Sequence, residues 1–128
     1  MKRLIFPILV IFIGYTGLAF SQSWVPNKED IAKVEASVRL DQLPYWKTSK
    51  LPSLAGYERY YAGSTLDGEK VIFGELVAPF NSKQQPGVHV TATKREFPVI
   101  FDGGCAIVSL MYSVKEQKIL SIKCNGFA

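Results

Sequence analysis

The chain has 128 residues, with 15 Lys and Arg against 11 Asp and Glu and a single histidine. That length suits one domain with a modest core. The absence of a Lys/Arg run or an RNA-binding aromatic motif argues against a nucleic-acid partner. One histidine and two cysteines, without a CxxC or HxxxH spacing, make no metal set, and no cofactor is expected.

Met1-Lys2-Arg3 precedes an uncharged apolar run from Leu4 to Phe20, and Ala19 and Ser21 place small residues where a leader is cut. The expectation is a signal peptide over 1–21 and a single exported domain over 22–128, periplasmic or secreted, with no membrane span once the leader is removed. The alternative is an uncleaved anchor. Pro7, Gly14, Thr16 and Gly17 weaken it, and the run falls short of the ~20 apolar residues a bilayer needs. Without Lys2 and Arg3, 13 basic residues face 11 acidic ones, a balance of +2. The whole-chain pI of 9.1 therefore overstates how basic the exported part is. Two cysteines in an exported chain suggest one disulfide.

Ser21 to Pro26 reads as a lead-in. Asn27 is a good N-cap, and Glu29 and Asp30 in the first turn favour the positive helix end. Ile31, Val34 and Val38 recur at helical spacing with Ala32 and Ala36 between them, predicting an amphipathic helix from Lys28 to Leu40. Lys33, Glu35 and Arg39 are expected toward water. Pro44 ends the segment, and Tyr45 to Pro52 is a loop.

From Gly56 onward the pattern is β. YERYYAG and VIFGELV flank Asp67-Gly68, a type I′ hairpin turn whose central residues need positive φ. Centring the turn there pairs Tyr61 with Gly74 and Tyr60 with Glu75, and a tyrosine lying across Gly74 offsets the glycine. Pro79 to Gly87 is a polar loop. GVHVTAT reads as a strand, and FPVIF as either a strand or the approach to DGGC. CAIVSLMY and QKILSIKC form the last hairpin.

Placing Ser113 to Glu116 as a four-residue loop sets Tyr112 opposite Gln117, Leu110 opposite Ile119, Ile107 opposite Ile122 and Cys105 opposite Cys124. This register predicts a Cys105–Cys124 disulfide. The alternative is a free Cys105 thiolate in an anion-binding nest at Gly103-Gly104 with His89 as base. Asp102, Gly103 and Gly104 read as a structural turn, as do Asp67 and Gly68 and the Asn125-Gly126 pair that closes the last strand.

YERYYAG, GEKVIFGELV, FDGGCAIVSLMYSV and SIKCNGFA together resemble segments of small exported bacterial proteins of unassigned function. The resemblance covers Tyr57 to Ala128. It implies an α+β fold in which an N-terminal amphipathic helix packs on a curved antiparallel sheet of four to six strands, similar to cystatin-like or NTF2-like folds. It brings no catalytic residues, and the cystatin inhibitory pattern QxVxG is absent.

The functional expectation is a non-enzymatic binding, inhibitor or immunity-type module acting on a protein partner in the cell envelope. Tyr45, Trp46, Tyr57, Tyr60 and Tyr61 are its candidate contacts, being of types enriched at interface hot spots; the alternative is that most of them pack the core or cover the sheet, since large aromatics dominate cores too. The alternative is a small hydrolase or lyase using a pocket in the sheet concavity, with Asp102, His89, Glu75 or a tyrosine as acid or base. No residue is assigned as catalytic.

Overall fold

The computed structural model describes residues 24–44, 52–79, 86–100 and 102–126. The proposed leader over 1–21, Tyr45 and Trp46 lie outside them. Helix α1 (Lys28–Ser37) packs on a sheet of five strands, β1 (Glu58–Leu66), β2 (Glu69–Val77), β3 (Val88–Val90), β4 (Ile107–Ser113) and β5 (Lys118–Cys124). The fold is α+β. No helix among the described residues is long and apolar enough to cross a membrane.

Helix α1 starts where its cap predicts. Asn27 Oδ1 accepts from the Asp30 N–H at 2.8 Å, and the Asn27 N–H donates back to Asp30 Oδ2 at 2.9 Å. It stops at Ser37, short of the expected Leu40. At ~100° per residue, Leu40 in a continued helix would point away from Ile31. The chain instead becomes extended at Val38 and tightens into a 3₁₀ turn at Leu40–Gln42, which buries Leu40 and Leu43. Ala32 and Ala36 face water rather than filling out the apolar stripe. Glu35, expected in solvent, turns inward to pair with Arg59 at 3.1 Å. Trp24 belongs to the domain rather than to a lead-in: its Nε1–H donates to the Ser64 carbonyl at 2.7 Å, and Lys70 Nζ sits 4.9 Å over its ring.

The strand order is β3-β1-β2-β4-β5. The Asp67-Gly68 hairpin forms as read, with φ of 51° and 79° at the turn, Tyr61 opposite Gly74 and Tyr60 opposite Glu75. The sheet is mixed rather than antiparallel throughout, because β3 runs parallel to β1. β3 is also shorter than GVHVTAT suggested. Thr91 Oγ1 donates to the Thr93 carbonyl, and Thr93 and Glu96 cap a 3₁₀ turn at Lys94–Glu96, so local polar bonds replace the ladder. Phe97 to Ile100 pair with no strand and lead into the glycine turn; Phe101 lies outside the described residues.

The register sends alternate residues to two faces. The inner face carries Tyr61, Ile72, Leu76, Val108, Leu110 and Tyr112, which join Ile31 and Val34 of α1 in the core. Gly74 lies in that layer because a Cβ there would come within 2.9 Å of the Leu110 side chain and 3.0 Å of the Tyr61 ring. The opposite, outer face carries Tyr60, Phe73, Glu75, Ser109 and Met111.

The last hairpin departs from the predicted register. Its turn is Val114 to Gln117, one residue later, and Tyr112 pairs with Ile119. Met111 then pairs with Ser121, leaving Leu120 as the extra residue of a β-bulge. The bulge puts Ile119 and Ile122, three positions apart, on the core side and leaves Leu120 exposed, a pattern strict alternation does not predict. Cys124 sits opposite Val108, not Cys105. The disulfide forms all the same, with Cα atoms 4.5 Å apart. Cys105 reaches it from a 3₁₀ turn at Gly104–Ala106, entered through positive φ at Gly103 (115°) and Gly104 (53°).

Tyr57 and Tyr61, both expected as partner contacts, are fully buried. Tyr57 Oη donates to the Cys105 carbonyl at 2.8 Å, tying the start of β1 to the disulfide turn. Tyr61 lies under α1, where burial and the neighbouring Glu35 carboxylate push its hydroxyl well above the usual tyrosine range. Its hydroxyl oxygen makes no hydrogen bond of good geometry among the described residues.

Candidate binding cleft on the outer face

The segment 94–100 crosses the outer face and makes a cleft against β2 and β4. Phe97 is its anchor, buried and tilted against Tyr60 with ring centroids 6.2 Å apart. Lys94 Nζ lies 4.6 Å over the Phe73 ring. Asn125 closes the far end: its side-chain amide donates to the carbonyls of Ile100 at 2.7 Å and Asp102 at 3.1 Å. Between them is a cleft of about 280 Å³, lined by Glu75 and Ser109 on one side and by Phe97, Pro98, Val99 and Ile100 on the other.

Glu75 is half-buried in this cleft. Burial raises its carboxyl above the usual range, and the Lys94 ammonium partly offsets the rise. The folded protein therefore holds the Glu75 proton more tightly than the unfolded chain does. Ionised Glu75 costs stability at pH above its folded pKa, and the cost disappears as pH falls below the unfolded value. Glu75→Gln is expected to raise stability at pH 7, with the gain shrinking as pH is lowered through the carboxylate range. Urea unfolding at pH 7 and pH 4 measures this, and a gain independent of pH would contradict it.

Beside the cleft, Tyr60 stacks on His89 with ring centroids 4.8 Å apart and planes 18° apart. His89 Nε2 lies 2.5 Å from Glu58 Oε2, and the Gly87 N–H donates to the same oxygen at 3.4 Å. The hydrogen bond from His89 is the main reason that the Glu58 carboxyl is held below its ordinary value. Burial, with the nearby Glu58 and Glu75 carboxylates, raises the Tyr60 hydroxyl.

The outer face thus brings together Tyr60, Glu75 and His89. Asp102 stands apart from the cleft lining with an exposed side chain; its carbonyl, not its carboxylate, takes part in the turn. Cys105 is held in the disulfide and has no thiol to ionise. The Pro44 carbonyl lies 3.0 Å from Cys105 Sγ, a packing contact, since a bonded sulfur carries no proton. The described residues hold no group of three or more His, Cys, Asp or Glu suited to a metal ion.

Sequence reasoning missed Lys94, Phe97, Ser109 and Asn125. Asn125-Gly126 was legible only as a turn, yet its amide holds the cleft wall. The Asp67-Gly68 register already put Glu75 across from Tyr60, and that was the one available signal for the site. No family model matches this chain, and no curated protein and no solved structure matches it.

Proposed function

We propose that the chain is an exported, non-enzymatic binding module of the inhibitor or immunity kind, which grips a protein partner of the cell envelope through the outer-face cleft. The observation that carries this reading is a half-buried carboxylate, Glu75, at the foot of an apolar wall whose rim residue Val99 is 76% exposed. The cleft lies just below the ~300–1,000 Å³ of drug-sized pockets, and it suits one inserted side chain of a partner. The lining carries the cations Lys94 and Arg95 beside the one carboxylate, so an uncharged polar side chain fits best, its stem against Phe97 and Ile100 and its donor bonded to Glu75. Tyr60, half-buried where the other described aromatic contacts first expected, Tyr57 and Tyr61, are fully buried, borders the site. The leader pattern at 1–21, the disulfide, and the resemblance of Tyr57–Ala128 to small exported proteins support the location.

Capture from envelope extract tests the reading. Glu75→Lys and Val99→Asp, each with unchanged circular dichroism, are expected to weaken the captured partner by about 2 kcal/mol, roughly thirty-fold in Kd. Capture that is the same for wild type and both variants counts against the cleft.

A hydrolase or lyase reading draws on the same face, where a raised carboxyl, a tyrosine and a histidine lie close together. Turnover of ester, glycoside or phosphoester probes that Glu75→Gln abolishes would favour it over binding.

A further inference from the structure

Asn125-Gly126 is the only Asn-Gly pair in the chain, and its amide carries one wall of the cleft. Asn125 Nδ2 donates to the carbonyls of Ile100 at 2.7 Å and Asp102 at 3.1 Å. Both partners are acceptors, so a side chain without an N–H at that position cannot hold them. On its N-terminal side Asn125 is fixed, its own N–H shared between the carbonyls of Ile107 at 2.8 Å and Gly104 at 3.1 Å. The C-terminal side is loose. Gly126 is exposed, and a Cβ placed on it would meet nothing within 4 Å. Its carbonyl takes one long bond, from the Gly104 N–H at 3.4 Å, and its own N–H donates to no group among the described residues.

We propose that Asn125 is a modification site, where spontaneous deamidation converts the cleft wall irreversibly from held to released. The chemistry is internal to the chain and needs only water. The Gly126 nitrogen gives up its proton to solvent base and bonds to Asn125 Cγ. The Cγ–Nδ2 bond breaks, and the amide leaves as ammonia with a proton taken from water. The succinimide ring so formed is then hydrolysed. Water entering at Cγ gives an aspartyl side chain, and water entering at the backbone carbonyl of position 125 gives an isoaspartyl link that runs through Cγ. Glycine suits the attack because it has no side chain to crowd the nitrogen and its backbone turns freely. Asn27 lacks both advantages: Lys28 follows it, and its Oδ1 is held in the cap of α1.

The two bonds from Nδ2 must open before Cγ can swing toward the Gly126 nitrogen. The reaction therefore samples the moments when the wall comes away locally. Afterwards the bonds cannot reform. An ionised aspartate or isoaspartate offers only acceptor oxygens, and these would meet the Ile100 and Asp102 carbonyls with like partial charge. The exposed Asp102 carboxylate adds to the repulsion. Each conversion thus leaves a cleft whose wall over Ile100 has lost its tie to the end of β5. This inference stands independently of what the cleft binds.

Incubating the purified folded protein in mildly alkaline buffer is expected to convert Asn125 ahead of Asn27 and Asn81. Mass spectrometry reads this as the amide-to-acid mass gain in the C-terminal peptide, divided between aspartyl and isoaspartyl forms. Asp67-Gly68 and Asp102-Gly103 can rearrange through the same ring, but without any mass gain. Gly126→Ala puts its methyl into open space, so the fold is kept, and the variant is expected to suppress the conversion. Asn125→Asp, made directly, is expected to speed tryptic cleavage after Arg95 about tenfold, the factor set by losing a hydrogen bond of ordinary net strength. An Asn125 amide that outlasts the incubation overturns the inference, as does conversion that Gly126→Ala leaves unchanged. Equal cleavage after Arg95 in Asn125→Asp and wild type overturns the release of the wall.

Discussion

Tyr61→Ala is expected to lower stability by about 3–5 kcal/mol, the range for deleting a large buried aromatic side chain. Tyr61 is fully buried beneath α1. Its ring fills the space above Gly74 next to Leu110, so the alanine variant leaves a cavity bounded by helix and sheet. Small domains are stable by only about 5–15 kcal/mol, so the variant sits near the unfolding threshold. Tyr61→Phe separates packing from polarity. The hydroxyl lacks a well-formed hydrogen bond and lies near Glu35, so its removal is expected to be neutral within about 1 kcal/mol. Urea denaturation measures both, as a change in midpoint at unchanged slope. If Tyr61→Phe costs as much as Tyr61→Ala, the hydroxyl donates a bond worth more than the packing, and this account of the core is wrong.

Removing the disulfide is the second large effect. Cys105 and Cys124 close a loop of sequence separation 19, for which chain entropy gives about 3 kcal/mol. Cys105→Ala/Cys124→Ala, or reduction of the wild type, is expected to lower Tm by on the order of 10–20 °C. The consequence extends to the cleft. Asn125 follows Cys124 directly, and its amide holds Ile100 and Asp102 at the cleft wall. Tyr57 is likewise bonded to the Cys105 carbonyl. Partner capture is therefore expected to weaken on reduction at temperatures where the domain stays folded. Two thiols titratable in the unreduced protein, or a Tm indifferent to reductant, would remove the basis for both expectations.

The site and the fold differ in how much of them can be read from the chain. The start of α1 and the Asp67-Gly68 hairpin with its register follow from residues a few positions apart, and the pairing of the cysteines from there being only two. The register argument for the cysteines, by contrast, reached the right bond by the wrong geometry. It assumed two regular strands, whereas Cys105 arrives through a 3₁₀ turn and the partner strand carries a bulge at Leu120. The aromatic run Tyr57 to Tyr61 looked like a contact surface because tyrosine suits both interfaces and cores. Burial distinguishes them, placing Tyr57 and Tyr61 inside and leaving Tyr60 at the border of the cleft.

Local chemistry was thus determined by the amino-acid sequence itself: an Asn-Asp capping box, a turn in which Asp and Gly accept positive φ, and a glycine pair that lets the chain double back. Each depends on hydrogen bonds and sterics within a few residues, so the same residues give the same answer in any surroundings. Only the tertiary structure decided that β3 joins β1 in parallel, that α1 ends early so Leu40 can turn inward, and that Glu75, Phe97, Ser109 and Asn125 share one cleft. Those outcomes depend on which distant segments bury one another, a competition among apolar surfaces that no short window of sequence contains.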